Sequence, residues 1–379
     1  MPLLNFKNLH QLIINENQLS FLSNHLLKGP VLLNYLVIKK GLSVPTNDTD
    51  FCDCISKLST ISYLILSGNQ IKEIPHDSFL NLANLRHLNL ANNKINRIES
   101  NGFKTLINLE ELNIQKNQIE FIHSSAFSGP HPYLIYLNLS WNKLRHLDKA
   151  LFYDLTNLQI LNCQFNQIEE LNSKIFSTLY NLEQLDMSQN KIKHLKKNMF
   201  AGLNHLVKIR FDHNEICDLE DETFVSESLQ TINLENNCIK SIRKNTLKGI
   251  KKLELIDLSH NMIQRIDEHA FHHTNTFENT IKEIDLNQNN LNYIHSFLFK
   301  DLISLETINL IHNGFDDADQ LELFLEPNVK FVAFSGKFEK VDYYNVDKKI
   351  KVDETHNDID LILKPKDSPK SSSSICIIL

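Results

Sequence analysis

The sequence predicts an α/β-type solenoid, built mainly from short parallel β-strands that stack in about thirteen coils. Two observations carry this prediction: an apolar pattern that recurs at a nearly fixed spacing, and a second column of large apolar residues in the same phase. The length agrees, because 379 residues exceed the roughly 250–300 at which a single hydrophobic core usually stops growing. A repeat array avoids that limit, since each unit packs only against its neighbours.

The recurring pattern has the form L-x-x-L-x-L-x-x-N-x-L. One copy runs from Leu85 to Ile95, and the next runs from Leu109 to Ile119. Its first apolar position falls at residues 9, 33, 61, 85, 109, 134, 158, 182, 206, 229, 253, 281 and 305, and eight of the twelve spacings are 24 residues. The alternation within L-x-L predicts a short strand with one buried face, which only stacking on neighbouring copies can cover.

The second column lies ten residues after the asparagine position of each motif. It consists of Leu27, Phe51, Phe79, Phe103, Phe127, Phe152, Phe176, Phe200, Phe224, Leu247, Phe271, Phe299 and Leu323. Its distance from the motif stays constant even where the repeat length changes. The extra residues are therefore expected in the return loop that leads to the next strand.

The motif asparagine is predicted to be structural. The chain leaves the strand at this point, so backbone groups need new partners, and an inward amide can bond the backbone of adjacent coils. Gly41 interrupts the column, and Asn17 and Asn313 lie at its two ends. The predicted ladder is Asn69, Asn93, Asn117, Asn142, Asn166, Asn190, Asn214, Asn237, Asn261 and Asn289.

With both columns in place, the chain resembles the leucine-rich-repeat superfamily, in its 24-residue subclass with a phenylalanine spine. It is similar to the repeats of Toll-type receptors, chaoptin-like adhesion proteins and small leucine-rich proteoglycans, over about residues 3–323. The resemblance implies a curved horseshoe with a parallel sheet on its concave face. Such relatives usually carry a signal peptide and cysteine-rich caps, which we do not find here. Because Met1 falls inside a repeat, we expect a chain that lacks an earlier segment.

The side chains between the strand leucines are expected to form the partner-binding surface. Exposed aromatic clusters are typical of binding hot spots, so two such clusters are predicted to contact a partner. The alternative for Trp141 and Phe165 is local packing at the corner where strand becomes turn. The candidate partner-binding residues are Tyr35, Tyr63, Ile65, Tyr136, Trp141, Ile160 and Phe165.

Polar residues on the same surface have a simpler interpretation. Asn or Asp between the second and third strand leucines, as at Asn89 and Asn113, is expected to be exposed polar filler. Later repeats carry Asp186, Asp257 and Asp285. This acidic end would favour a basic partner, and the alternative is a solvated acidic face.

Several functional classes are not supported by the sequence. A net charge of −7 argues against a general nucleic-acid binder, which needs a basic surface. We find no phosphate loop, nucleophile elbow or His-Glu-x-x-His run, so we expect no enzyme, cofactor, metal or small-molecule substrate. His272 and His273, beside His269, are interpreted as a solvated loop. A disulfide between Cys217 and Cys238 is open but disfavoured, because the two are out of step on adjacent coils.

The predicted domain organisation has three parts. Residues 1–323 form the repeat array, residues 324–363 form a β-rich C-terminal cap, and residues 364–379 form a disordered Ser/Pro/Lys tail. Strands are expected at 329–334, 341–346 and 350–352. They would close the exposed edge of the sheet.

The last four residues, Cys376 to Leu379, fit a C-a-a-X prenylation signal of the geranylgeranyl type. We therefore predict a non-enzymatic protein-binding scaffold that acts in signalling or adhesion, tethered by the lipid on Cys376 to the cytoplasmic face of a membrane. The alternative is an extracellular adhesion or pattern-recognition ectodomain that lacks its signal peptide. Two glycosylation sequons, at Asn47 and Asn138, leave both open, since the second is also the repeat consensus.

Overall fold

The computed structural model describes residues 8–15, 32–39, 55, 57–74, 78–272, 279–315, 323, 325–326, 328–335 and 360–362. Within these ranges the chain is a solenoid of short parallel strands, which confirms the predicted fold class.

The strands are short because each motif supplies only one apolar-polar-apolar step. In chain order they are β1 (Gln11–Asn15), β2 (Tyr35–Lys39), β3 (Tyr63–Ile65), β4 (Glu73–Ile74), β5 (His87–Asn89), β6 (Arg97–Ile98), β7 (Glu111–Asn113), β8 (Phe121–Ile122), β9 (Tyr136–Asn138), β10 (Ile160–Asn162), β11 (Gln184–Asp186), β12 (His194–Leu195), β13 (Lys208–Arg210), β14 (Asp218–Leu219), β15 (Thr231–Asn233), β16 (Ser241–Ile242), β17 (Leu255–Asp257), β18 (Arg265–Ile266), β19 (Glu283–Asp285), β20 (Thr307–Leu310), β21 (Phe331–Ser335) and β22 (Asp360–Ile362).

One main sheet runs the length of the described chain, in the order β1-β2-β3-β5-β7-β9-β10-β11-β13-β15-β17-β19-β20-β21-β22. Each of its first thirteen strands begins two residues after a predicted first apolar position. Neighbours pair in motif register, so that Leu64 lies opposite Leu88 and Leu88 lies opposite Leu112. The two-residue strands form shorter parallel sheets: β4-β6-β8, β12-β14 and β16-β18.

The core fills the space behind the main sheet. The phenylalanine column forms a buried stack, with ring centroids 5.8 Å apart for Phe79 and Phe103 and 5.4 Å apart for Phe103 and Phe127. Planes within 11° of parallel show that each ring lies over its neighbour. Burial of such a side chain contributes roughly 2–3 kcal/mol before ordering entropy is subtracted. Leu27 and Phe51, at the start of this column, lie outside the described residues.

The motif is numbered here from its first apolar residue as position 1, which makes the asparagine position 9. Position 8 has a left-handed backbone in eleven successive coils, with φ between 51° and 74°. The residues are Gly68, Asn92, Lys116, Trp141, Phe165, Gln189, His213, Asn236, His260, Gln288 and His312. This conformation costs a non-glycine residue about 1 kcal/mol, so the contacts of the neighbouring asparagine must hold it.

The main sheet continues for two strands beyond the predicted thirteen. β21 pairs in parallel with β20, with Phe331 opposite Thr307. Its position 1 is Val329, 24 residues after Leu305. The strand predicted at 329–334 as part of a cap is therefore the next coil of the array, and β22 pairs with it antiparallel. The strands predicted at 341–346 and 350–352, and the tail at 364–379, lie outside the described residues.

Candidate functional site

The asparagine ladder fixes the backbone that carries the surface side chains. Asn142 Nδ2 donates to Leu139 O in its own coil at 3.0 Å and to Ile114 O in the preceding coil at 3.1 Å. Its Oδ1 accepts a hydrogen bond from Ile119 N at 3.0 Å. A further bond goes to Ser140 O at 3.2 Å, so one buried side chain binds four backbone groups and joins two coils.

The same bonds recur along the array. Amide donation within the coil and to the preceding coil is made by Asn69, Asn93, Asn117, Asn166, Asn190, Asn214, Asn237, Asn261, Asn289 and Asn313. Asn17 and Gly41 lie outside the described residues.

The position-5 column is not polar filler. Asp186 Oδ1 accepts hydrogen bonds from Ser188 N at 3.0 Å and Ser188 Oγ at 2.6 Å, and Asp257 binds Ser259 in the same way. Asn138, which is 5% exposed, accepts a bond from Ser140 N. The expectation of exposed filler was wrong because an Asn or Asp oxygen can cap the turn two residues later.

Trp141 and Phe165 form an exposed stacked pair. Their ring centroids are 3.8 Å apart and their planes are 13° from parallel, while 46% of Trp141 and 36% of Phe165 remain exposed. Lys116 Nζ lies 5.7 Å from the centre of the Trp141 ring, within the range of a cation–π contact. The two alternatives considered from the sequence therefore coincide: the rings pack locally and still present an apolar surface.

Tyr136 and Ile160 lie opposite each other on β9 and β10, in the same two coils as the stacked pair. Both are half-buried. The Tyr136 hydroxyl accepts hydrogen bonds from Asn138 Nδ2 at 3.0 Å and from Asn162 Nδ2 at 3.4 Å. The tyrosine is thus held within the polar network of the sheet and is a less available contact than the Trp141–Phe165 pair.

A second aromatic group lies nearer the N-terminal end. Tyr35 and Tyr63 are 5.7 Å apart in a tilted arrangement, and Tyr63 stacks on His87 at 4.3 Å with planes 9° apart. His87 also contacts Glu111, with Nδ1 3.0 Å from a carboxylate oxygen. Ile65 is half-buried beside this group. Sequence reasoning missed His87, although it occupies the position of Tyr35 and Tyr63 in the next coil.

The acidic end is partly neutralised. Arg210 forms two bonds of 3.0 Å to Asp212, which is buried, and its Nη1 lies 3.8 Å from Asp186. The hydrogen bond to Asp212 raises the pKa of Arg210. Burial raises the pKa of Asp285 and of Glu283, and neighbouring carboxylates add to both effects. The face is therefore less acidic than the sequence indicated.

A second ladder of asparagines was also missed. Each lies one residue before position 1 and donates its amide to a carbonyl 25 residues earlier. Asn84 donates to Ser59 O at 2.8 Å, and the others are Asn108, Asn157, Asn181 and Asn328. The sequence shows these asparagines, but they lie outside the L-x-x-L-x-L-x-x-N-x-L motif, so their hydrogen bonds were not predicted.

The remaining candidates concern metal binding, membrane-spanning helices, glycosylation and lipidation. Among the described residues, no three or more His, Cys, Asp or Glu side chains are grouped to hold a metal ion. Within the same ranges, no helix combines the length and apolar character needed to cross a bilayer. The Asn138 sequon is buried in the fold. Cys376, Asn47 and His273 lie outside the described residues.

The fold is shared with solved structures of low sequence identity. The APL1 leucine-rich repeat domain matches with a TM-score of 0.70 and 20% identity over 88% of this chain and 81% of that one. A chain of the Drosophila Toll–Spatzle complex matches with a TM-score of 0.66 and 18% identity over 86% of this chain and 42% of that one. A chain of the LRIM1/APL1C complex matches with a TM-score of 0.66 and 21% identity, over 83% and 54%.

At these identities the likeness shows the fold alone, and this chain spans about half the length of the Toll–Spatzle and LRIM1/APL1C chains that it matches. No curated protein sequence gives a significant match. The family model for the leucine rich repeat matches residues 59–119, 107–168, 156–216, 205–263 and 227–278. These matches together cover more than half of the sequence, so the chain belongs to the leucine-rich-repeat family.

Proposed function

We propose that this chain is a non-enzymatic scaffold that binds a protein partner on the outward face of its main sheet and acts in signalling or adhesion. Solenoids of this kind present long surfaces for protein binding, and the outward sheet face is the one that we expect to be concave. The observation that carries the proposal is the stacked, exposed Trp141–Phe165 pair.

The pair has the properties of a binding hot spot. Tryptophan is enriched among residues that dominate binding energy, especially where a partner can bury it fully. Both residues precede ladder asparagines, Asn142 and Asn166, whose bonds fix the backbone. Little conformational entropy is then lost when a partner covers the rings. Lys116 beside Trp141 would favour an acidic group next to an apolar one on the partner.

The Tyr35–Tyr63–His87 group offers a second contact on the same sheet. Three strand-to-strand steps separate β3 from β9, or about 14 Å at roughly 4.8 Å per step. One interface of ordinary size, about 800 Å² on each partner, can cover both groups. Structurally similar chains form the Toll–Spatzle and LRIM1/APL1C complexes, which supports a protein as the partner.

The proposal includes a membrane tether. Geranylgeranylation of Cys376 would attach the chain reversibly to the cytoplasmic face of a membrane, and the nearby lysines 364, 366 and 370 would add a weak electrostatic attraction to anionic lipids. The alternative is an extracellular adhesion or pattern-recognition ectodomain.

Partner binding can be tested by quantitative crosslinking of the purified chain in extract from its native source. We expect Trp141→Asn with Phe165→Asn, which keep a residue suited to the left-handed backbone, to remove specific partners that the unaltered chain retains. Tyr153→Ala with Tyr180→Ala is the matched control, because these two aromatics are 65% and 53% exposed but lie in the return segment after the buried Phe152 and Phe176, whereas Trp141 and Phe165 follow strands of the main sheet by three residues. Equal loss with both double variants, or loss with neither, would contradict the proposed surface.

The tether can be tested by intact-mass analysis of the C-terminal peptide from the native source. We expect a geranylgeranyl adduct on Cys376 that Cys376→Ser abolishes. An unmodified Cys376 together with a glycan on Asn47 would instead support the extracellular alternative.

A further inference from the structure

Cys217 and Cys238 lie side by side on neighbouring coils. Cys238 N donates to Ile216 O at 2.9 Å, and Ile216 N donates to Asn237 Oδ1 at 3.0 Å. The backbone at 216–217 is therefore paired with that at 237–238, at the separation of about 4.8 Å that is usual between bonded strands. Cys217 occupies position 12 of its motif and Cys238 occupies position 10, so the sequence did not show that they are neighbours. The backbone hydrogen bonds in this segment join position 10 of one coil to position 11 of the preceding coil, which places position 10 beside position 12.

An equivalent pair elsewhere in the array shows that side chains at these two positions meet. Lys143 N donates to Ile119 O at 2.9 Å, at the same motif positions as Cys238 and Ile216. There Lys143 Nζ lies 3.9 Å from a carboxylate oxygen of Glu120, which is the counterpart of Cys217. A Cα separation near 5 Å falls inside the range of about 4.4–6.8 Å that a disulfide needs.

The two thiols are close and reachable. Burial raises the pKa of Cys238, and contact with the Cys217 thiol raises it further. Neither thiol is bonded to another sulfur in the structure. Cys217 is exposed and donates to Glu215 O at 3.3 Å, while Cys238 is half-buried. Cys163 differs, because it is fully buried in the core and burial raises its pKa strongly.

We propose that Cys217 and Cys238 form a dithiol site that reacts with small-molecule disulfides and closes into a disulfide between adjacent coils. In the first step the Cys217 thiolate attacks one sulfur of oxidised glutathione, the glutathione S–S bond breaks, and one glutathione thiolate leaves. In the second step Cys238 loses its proton and attacks Cys217 Sγ, the S–S bond between Cys217 and glutathione breaks, and the second glutathione leaves as a thiolate that takes up a proton. Two protein thiols are oxidised while one glutathione disulfide is reduced to two thiols.

The order of the steps follows from the surroundings. A small disulfide reaches the exposed Cys217 first, whereas the half-buried Cys238 acts as the resolving thiol. Because the pKa of Cys238 is raised, the second step accelerates as the pH increases. The site is independent of the partner surface, so it stands whether or not the proposed function holds.

The test is to incubate the reduced full-length chain with glutathione buffers of increasing oxidised fraction, block free thiols, and analyse the peptides by mass spectrometry. We expect a linked Cys217–Cys238 peptide that becomes the main product. Cys238→Ser should instead accumulate glutathione on Cys217, and Cys217→Ser should give neither product. Phenylarsine oxide needs two neighbouring thiols, so the probe is used on a chain with Cys52→Ser and Cys54→Ser, which removes the other closely spaced pair. It should bind that chain once at this site, and binding should be lost when Cys217 or Cys238 is also replaced by serine.

A matched control uses the equivalent positions. In a Cys217→Ser/Cys238→Ser chain, Glu120→Cys with Lys143→Cys should also form a linked peptide, because the backbone geometry is the same. The proposal is overturned if the engineered pair links and the natural pair does not. It is equally overturned if neither pair links, or if Cys163 is modified in the folded chain as readily as Cys217.

Discussion

The coils that contain Trp141 and His213 have the same backbone conformation, buried core positions and asparagine bonds, here called the frame, but they have different exposed side chains. Position 8 has φ of 56° at Trp141 and 55° at His213. The following asparagines, Asn142 and Asn214, each donate to the carbonyl three residues earlier at 3.0 Å. On this common backbone the first coil shows a tryptophan stacked on its neighbour, whereas the second shows Arg210 bonded to Asp212.

The difference separates two kinds of position. Residues that face the next coil repeat, because every coil must satisfy the same backbone groups and fill the same volume. Residues that face outward are free of that demand and can specify a partner. Substitutions at frame positions should therefore have equal effects on stability in the two coils, and substitutions at surface positions should differ in their effect on partner binding.

The largest expected effect is at the phenylalanine column. Phe152→Ala and Phe224→Ala should each lower the free energy of unfolding by about 3–5 kcal/mol, because each removes a fully buried ring and leaves a cavity. Chemical denaturation of both variants measures the effect. The exposed Tyr180→Ala is the control, with an expected change below about 0.5 kcal/mol. A large difference between the two Phe variants would show that the coils do not share one frame.

The asparagine ladder should give the next largest effect. Asn142→Ala and Asn214→Ala should each cost about 1–3 kcal/mol, since each leaves one buried backbone N–H, of Ile119 or Ile192, without its partner and removes amide bonds to two buried carbonyls. Thermal unfolding gives the comparison. Asn181→Ala removes a half-buried asparagine of the second ladder, which donates to a single backbone carbonyl, and should cost much less. An unchanged melting temperature for Asn142→Ala would contradict the structural role of the column.

The frame could be predicted from the sequence because every coil buries the same positions and bonds the same backbone groups, so the residues responsible recur at a fixed spacing. Leu88 and Phe103 recur in phase with their counterparts, and periodicity reports burial directly. The surface was harder to predict, since contacts such as Tyr63 on His87 depend on which side chains happen to occupy neighbouring coils. The fourteenth strand was missed as a coil because Val329 and its neighbours lack the following asparagine.

His131 provides a local test of acid sensitivity. It is 2% exposed and lies three residues before position 1. Other coils have a leucine at this place, as at Leu106, Leu155 and Leu203. Burial lowers its pKa, and this outweighs the opposing effects of the Leu106 carbonyl and Asp154. The unfolded chain therefore binds a proton near pH 6.5 that the folded chain does not.

The sign of the pH dependence follows. The contribution of His131 is constant well above pH 6.5, and stability is lost as the pH falls below that value, by up to about 1.4 kcal/mol per pH unit. His131→Leu should remove this component, which denaturation curves between pH 7 and pH 5 would measure. If the variant and the unaltered chain lose stability in parallel, His131 is not the group that titrates.

The smallest effect on stability is expected at position 8 itself. Trp141→Asn removes the stacking contact with Phe165, worth about 0.5–1.5 kcal/mol, but asparagine adopts a left-handed backbone more readily than tryptophan. These contributions oppose each other, and asparagine already occupies position 8 at Asn92 and Asn236. The net change should lie within about 0.5–1 kcal/mol, and His213→Asn should behave alike.

The decisive comparison is between stability and binding in these two variants. If Trp141 is a surface residue, Trp141→Asn keeps the unfolding midpoint and loses the partner, while His213→Asn keeps both. A loss of stability as large as that of Asn142→Ala would make Trp141 part of the frame and leave the partner surface without its central residue. Because asparagine suits the backbone at this position, the substitution isolates the ring itself, which truncation to alanine at a left-handed residue would not do.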